Sequence, residues 1–169
     1  MKNNETALLH HALLYEQGHI RRTEHILKVY ALAKLLGEKQ NISPEEKIIL
    51  HASAIVHDIA IKYCKEHFQG DASQPKQQEV APKMVQHFLK QANYDACYFQ
   101  PVTDLVLHHH DYHAIHDHLL QLLIEADIII NCYENQWSGD ILQKYLPLFS
   151  TDTGKELFSI YMKAHAKKQ

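Results

Sequence analysis

Glycine, proline and cysteine are scarce in this chain of 169 residues, which has five, five and three of them. With so few turn residues and no sustained alternation of apolar and polar positions, the sequence argues against a sheet-rich fold. The cysteines Cys64, Cys97 and Cys132 are odd in number and widely spaced. They therefore argue against a disulfide framework and favour a reducing compartment.

An excess of basic charge is also absent, because 17 Lys and Arg face 20 Asp and Glu, a net charge of -3. This balance argues against binding to a DNA or RNA duplex and against a polybasic membrane anchor. The longest apolar run, 119–130, is interrupted by Glu125 and Asp127 and falls short of the ~20 residues that span a bilayer. The first residues lack the apolar segment of a secretory signal, so we expect a cytoplasmic protein.

Histidine, in contrast, is abundant, with 15 residues against 17 Lys and Arg. Helical periodicity recurs along the whole chain and predicts an all-α fold, with one domain over 1–169. The clearest helix starts are the capping box that begins at Ser43 and the N-cap Asp117. Helices are predicted over about 5–17, 22–38, 43–62, 76–91 (starting at 76 or 82), 101–108, 117–133 and 155–167.

Two polar residues fall on apolar helix faces. His25 shares a stripe with Val29 and Leu36, as a hydrogen-bonded core histidine or a site residue would. Asp127 lies roughly 200° from Glu125, which with Asp117 marks the predicted solvent face. A buried carboxylate there needs an ion-pair partner or a bound cation, unless the position is a boundary one.

The third predicted helix is ambiguous. Its apolar face centres on Ile48, Ala52 and Ile55, while Asp58 and Lys62 lie on the other side with His57 beside them. A solvated face and a functional site explain this pattern equally well.

Together, His25, His57, Asp58 and Asp127 form a mixed nitrogen and oxygen set that suits Mn, Fe, Co, Ni or Zn. Their order and spacing resemble the HD superfamily of metal-dependent phosphohydrolases. The likeness spans about 22–134 and is carried by three strings, HILKVYALAKLLGE, AIVHDIAIK and LLIEADIIIN. A narrower likeness, to small bacterial members, rests on Gln78-Glu79 with Pro82, His108-His109-His110, and Glu125-Ala126-Asp127 with Asn131 and Glu134.

The resemblance implies a helical bundle with a central metal site that hydrolyses a small phosphorylated substrate such as a nucleotide. The four residues would hold a divalent metal, with Mg also allowed, and Asp58 would orient or deprotonate the attacking water. Dinuclear members usually supply further histidines from two segments. Here 76–80 offers none and 108–110 offers His109, so we expect one tightly bound ion and leave a second open.

Several further roles are predicted around this centre. Arg22 and Lys62 are candidate phosphate-binding cations, or else surface charges, and His110 is a candidate substrate contact. Glu79 and His109 are candidate acid/base or orienting groups, and Lys62 is also a candidate catalytic cation. The other nearby histidines are expected to be loop or surface residues at the mouth of the site: His67, His113, His116 and His118.

Two functions of other classes remain open at this point. One is a non-catalytic HD-like module that senses a nucleotide through a bound metal. The other is a histidine-rich metal buffer with several weak sites. The sequence does not determine the oligomeric state.

Overall fold

The computed structural model describes residues 5–113, 115 and 117–166, so the predicted His116 and the end of the last helix at 167 lie outside the described residues. The described part contains helices and no strand, which confirms the predicted all-α class. Its helices are α1 Glu5–Glu16, α2 Ile20–Lys39, α3 Pro44–Val56, α4 Ala60–His67, α5 Gln74–Gln91, α6 Phe99–His108, α7 His118–Asn135, α8 Asp140–Tyr145 and α9 Asp152–Ala166.

Local sequence signals explain where the best-predicted helices begin. The Ser43 hydroxyl accepts from the backbone N–H of Glu46, whose carboxylate accepts in return from the Ser43 N–H at 2.7 Å. The carboxylate of Asp117 accepts from the first N–H groups of α7. Both predicted caps are confirmed, because each side chain satisfies amides that the helix leaves unpaired.

The predicted helix 43–62 is wrong in its length, since a turn at 57–59 separates α3 from α4. Apolar periodicity did not reveal the turn because Ile55 and Ile59 remain buried on both sides of it. The turn matters for the site. In a regular helix, the side chains of neighbouring residues point ~100° apart, whereas at this turn His57 Nε2 and Asp58 Oδ2 lie only 3.5 Å apart.

Other helix boundaries differ from prediction near prolines and in the last third of the chain. Helix α5 begins at Gln74, with Pro75 in its first turn and Pro82 inside it. Helix α8 and the 3-10 turns Ala96–Tyr98 and Leu146–Leu148 were not predicted. These elements are short, so they carry little periodic signal.

The predicted solvent face of α7 is wrong at Glu125, which is fully buried. The segment before α9 crosses this face, and the Glu125 carboxylate accepts from the N–H groups of Ser150 and Thr151 and from the Thr151 hydroxyl. It also accepts from Gln121 at 2.8 Å. The buried charge is thus stabilised by hydrogen bonds that join α7 to the start of α9.

A second polar network joins helices α1, α2 and α3 through Glu5. The carboxylate of Glu5 accepts from His51 and Lys34, each at 2.9 Å, and from the Tyr30 hydroxyl. The hydrogen bond from His51 lowers the pKa of Glu5 to about 2, against the opposing effect of burial and with help from Tyr30 and Lys34. The ionised carboxylate therefore stabilises the folded chain.

Glu5→Gln is expected to make stability less sensitive to acid. Because the folded pKa lies below the ordinary value of 4.5, the contribution of Glu5 is complete above pH 4.5 and is lost as the pH falls towards 2. Solvent screening limits it to about 1 kcal/mol. Urea unfolding from pH 7 to pH 3 should show the variant less stable than wild type at pH 7, with the gap closing in acid. Exposed Glu156 is the matched control for substitution by glutamine, and a pH-independent gap would contradict the prediction.

Candidate metal centre

Three elements bring the four predicted metal residues together: α2 carries His25, the turn after α3 carries His57 and Asp58, and α7 carries Asp127. His25 Nε2 lies 3.1 Å from Asp127 Oδ1 and 3.1 Å from His57 Nε2. His25, His57 and Asp127 are buried, whereas the Asp58 side chain is 21% exposed. The cluster therefore lies inside the bundle and reaches solvent beside Asp58.

Backbone carbonyls determine the orientation of two histidine rings. The Nδ1–H of His57 donates to the Ala54 carbonyl at 2.9 Å, and the Nδ1–H of His109 donates to the Val106 carbonyl at 2.7 Å. A carbonyl only accepts, so each ring carries its proton on Nδ1. Both rings then direct Nε2 towards Asp58.

A carboxylate plays the same part for His25. Glu134 Oε2 accepts from the His25 Nδ1–H at 3.0 Å, and Lys28 holds the other carboxylate oxygen at 3.3 Å. A carboxylate that accepts from one ring nitrogen directs the other towards a metal and makes it a more basic ligand. Glu134 thus orients His25 towards the cluster.

Inside the cluster, ring nitrogens face carboxylate oxygens. His109 Nε2 lies 3.5 Å from Asp58 Oδ1. Three buried atoms have no hydrogen-bond partner: Asp58 Oδ1, His109 Nε2 and Asp127 Oδ2. Buried acceptors that face acceptors need a cation or a proton between them.

A divalent metal ion fits this donor set. Two groups place one potential ligand atom of each member within 4.8 Å of the others, His25-His57-Asp58 and Asp58-His109-His110. Imidazole nitrogens with carboxylate oxygens are typical of Mn, Fe, Co, Ni and Zn sites. Asp58 belongs to both groups, so it is the shared residue of the centre.

The model of the HD domain family matches residues 22–132, which is most of the chain. The chain belongs to the HD-domain family. This confirms the resemblance drawn from the motif strings. No curated protein and no solved structure matches the chain. HD domains bind divalent metals and in general belong to metal-dependent hydrolases.

Neighbouring charges keep the carboxylates of the HD site ionised. Burial alone would raise the pKa of Asp58, but the imidazoles of His57 and His109 outweigh it and hold that pKa below its usual value. Burial would likewise lower the pKa of His25, whereas hydrogen bonding to Asp127 raises it to about 9. Burial lowers the pKa of His110 to about 4, so its ring is neutral at pH 7. A metal binds ionised carboxylates and neutral rings, so a metal at His25 would displace the proton of its Nε2.

An open pocket of about 360 Å³ leads to the HD centre and is lined by His25, Asp58 and His110 from the cluster. Arg22, a predicted phosphate-binding residue, lines the same pocket, and its Nε donates to buried Glu16 Oε2 at 2.5 Å. His109 and His110, also predicted site residues, lie in the cluster. The structure therefore places Arg22 and His110 in the pocket and His109 in the cluster behind it, and the roles of these residues stay predictions.

Lys62 and Glu79 are placed away from the HD centre, which removes the geometric basis for their predicted roles. Lys62 Nζ donates to the Tyr15 carbonyl at 2.7 Å. Lys62 is not among the residues that line the pocket. Glu79 is exposed and pairs with Lys76 at 3.0 Å on the surface of α5.

The surface assignment of three other histidines is confirmed, because His67, His113 and His118 are exposed. Sequence reasoning gave no role to Asn131 and Glu134, although both were in the quoted motif. Asn131 donates to Asp127 Oδ1 at 2.9 Å. Their spacing from Asp127, four and seven residues, places all three on one face of α7 and was the available signal.

The described part of the chain has no helix that is both long and apolar enough to cross a membrane.

Proposed function

We propose that this HD-domain protein is a metal-dependent phosphohydrolase acting on a small phosphorylated substrate, of which a nucleotide is the favoured class. One observation carries the proposal: three buried atoms of the cluster, on Asp58, His109 and Asp127, have no hydrogen-bond partner, and Asp58 also lines an open pocket. These atoms suit a metal ion, and the pocket that Asp58 lines gives a substrate access to it.

We propose that the centre binds a single divalent transition metal. Its ligands would be His25, His57, Asp58 and Asp127. When bound, such a metal lowers the pKa of a water ligand towards ~7 and polarises a phosphoryl oxygen. The second carboxylate oxygen of Asp58 has no hydrogen-bond partner and lies 3.5 Å from His109 Nε2. In our proposal it accepts a proton from the attacking water, as a general base does.

Two residues of the pocket would bind the phosphate during hydrolysis. Arg22 is fixed through its Nε by Glu16, which leaves the two terminal nitrogens of its guanidinium to donate to phosphate oxygens. The neutral ring of His110, which lines the pocket, would contact the substrate beside Asp58. Preorganised donors of this kind stabilise the charge that develops on a transferred phosphoryl group.

The test combines metal analysis with a substrate panel. The purified protein should retain a stoichiometric transition metal and, with added Mn or Ni, release phosphate from nucleotides or split a phosphodiester. His57→Ala should lose both metal and turnover, whereas the control variant His67→Ala at an exposed position should lose neither. Full metal content in His57→Ala would overturn the metal assignment. Tight nucleotide binding without turnover across the panel would show a sensor, and several weak metal sites would show a buffer.

A further inference from the structure

The pocket, of about 360 Å³, is much larger than one phosphate group, and three cationic side chains line it. Beyond the cluster, its wall includes Arg21, Arg22 and Lys65, with Ile26 and Ile61 as its apolar members. The described lining contains no Phe, Tyr or Trp. Nucleobases are commonly held by stacking on such rings. The part of the substrate that lies away from the metal would therefore contact cationic side chains and not aromatic rings.

Pairing within the pocket leaves two of these cations without a carboxylate. Glu16 is paired with Arg22, and Glu134 is hydrogen-bonded to His25 and Lys28. Arg21 donates to the neutral amide of Asn135 at 2.6 Å. Lys65 is exposed and has no ion-pair partner among the described residues. The chain as a whole is acidic, with a net charge of -3, so these cations do not follow from a general basic excess.

Their positions in the helices set them apart from the metal residues. Arg21 precedes His25 by one turn of α2 and lies at the start of that helix. Lys65 follows Asp58 by seven residues and lies near the end of α4. At a rise of 1.5 Å per residue, Arg21 lies about 6 Å from His25 along α2, and Lys65 lies beyond the turn that carries Asp58. Both side chains nevertheless line one pocket with His25 and Asp58.

We propose that Arg21 and Lys65 form a second anion subsite, so that the substrate carries a negatively charged group besides the phosphate that is hydrolysed. This inference rests on the proposed function and narrows its substrate class to molecules with two anionic groups, such as bisphosphates. Arg22 and the cluster hold the phosphate that reacts, while Arg21 and Lys65 bind the other group through charge-assisted hydrogen bonds.

The closing experiment compares adenosine 5′-monophosphate with adenosine 3′,5′-bisphosphate on the metal-loaded full chain. We expect kcat/KM about tenfold higher for the bisphosphate, and a preference that weakens as salt is raised because both cations are exposed. Lys65→Met and Arg21→Met should each reduce the preference towards unity. Lys155→Met, which removes an exposed lysine of α9, should leave it intact.

Binding of the two compounds, measured by calorimetry on the same metal-loaded proteins, separates the two proposals. No turnover of either compound, with tighter binding of the bisphosphate that depends on Lys65, would support the subsite and contradict the phosphohydrolase. Turnover of both compounds with equal kcat/KM would overturn the subsite. So would a Lys65→Met variant that weakens both compounds to the same degree.

Discussion

Asp58→Asn is expected to lower metal-dependent turnover by at least about 10³-fold, since the change removes both an anionic ligand and the proposed base. Asp58 is the only residue that the two potential ligand groups share. The substitution keeps the size of the side chain, so packing around His57 and His109 should survive. Phosphate release under saturating metal measures the effect on activity.

The same variant separates function from folding. The neighbouring imidazoles hold the pKa of Asp58 below its usual value, so its charge stabilises the metal-free fold and Asp58→Asn is expected to lose some stability without metal. The response of each protein to added metal therefore carries the test. Added metal should raise the unfolding temperature of wild type and not of Asp58→Asn, because a ligand stabilises only a protein that binds it. Asp140→Asn, in the first turn of α8, is the matched control. An Asp58→Asn variant that still gains stability from metal would contradict the shared-ligand assignment.

Glu134→Gln is expected to lower metal affinity by about tenfold, and Glu134→Ala by about 100-fold, the range measured when a ligand histidine loses its carboxylate partner. The reason is the 3.0 Å hydrogen bond from His25 Nδ1–H, which fixes the ring with Nε2 towards the cluster. Titration of metal-free protein with Zn or Mn, followed by calorimetry, measures the affinity without relying on turnover.

Two controls distinguish orientation of His25 from a general loss of structure. Lys28→Met removes the other partner of Glu134 and should change metal affinity far less. Nitrogen NMR of the zinc-loaded protein should show the His25 proton on Nδ1 in wild type and a less uniform signal in Glu134→Ala. Unchanged affinity in both Glu134 variants, or an equal loss in Lys28→Met, would show that Glu134 does not orient the ligand.

Periodicity predicted the inward direction of His25 and Asp127 correctly, because each lies within one regular helix whose apolar face is long. It failed at Glu125 on the same helix. That carboxylate is buried by the segment around Ser150 and Thr151, and no pattern within α7 reports what a distant part of the chain will cover. A helix face defined from its own residues is therefore a statement about amphipathicity and not about burial.

The roles predicted for Lys62 and Glu79 lacked support for a related reason. Lys62 was assigned a role from its spacing to Asp58, which assumes that one unbroken helix carries both residues. Glu79 was assigned a role from its place in a sequence motif, which assumes that the motif residues share one surface. The turn at 57–59 and the surface pair with Lys76 break those assumptions. Lys65, three residues after Lys62, lines the pocket instead.

The sequence alone determined the helical class, the capped starts at Ser43 and Asp117 and the order of the metal residues, because these depend on local hydrogen bonds and on residue spacing. Only the tertiary structure determined which polar side chains come together in the metal centre. The atoms of Asp58, His109 and Asp127 that lack hydrogen-bond partners come from three separate elements. Of the fifteen histidines, those that matter are the ones whose Nε2 lies in the cluster, such as His25, His57 and His109. Such contacts arise from packing between distant segments, which no local pattern encodes.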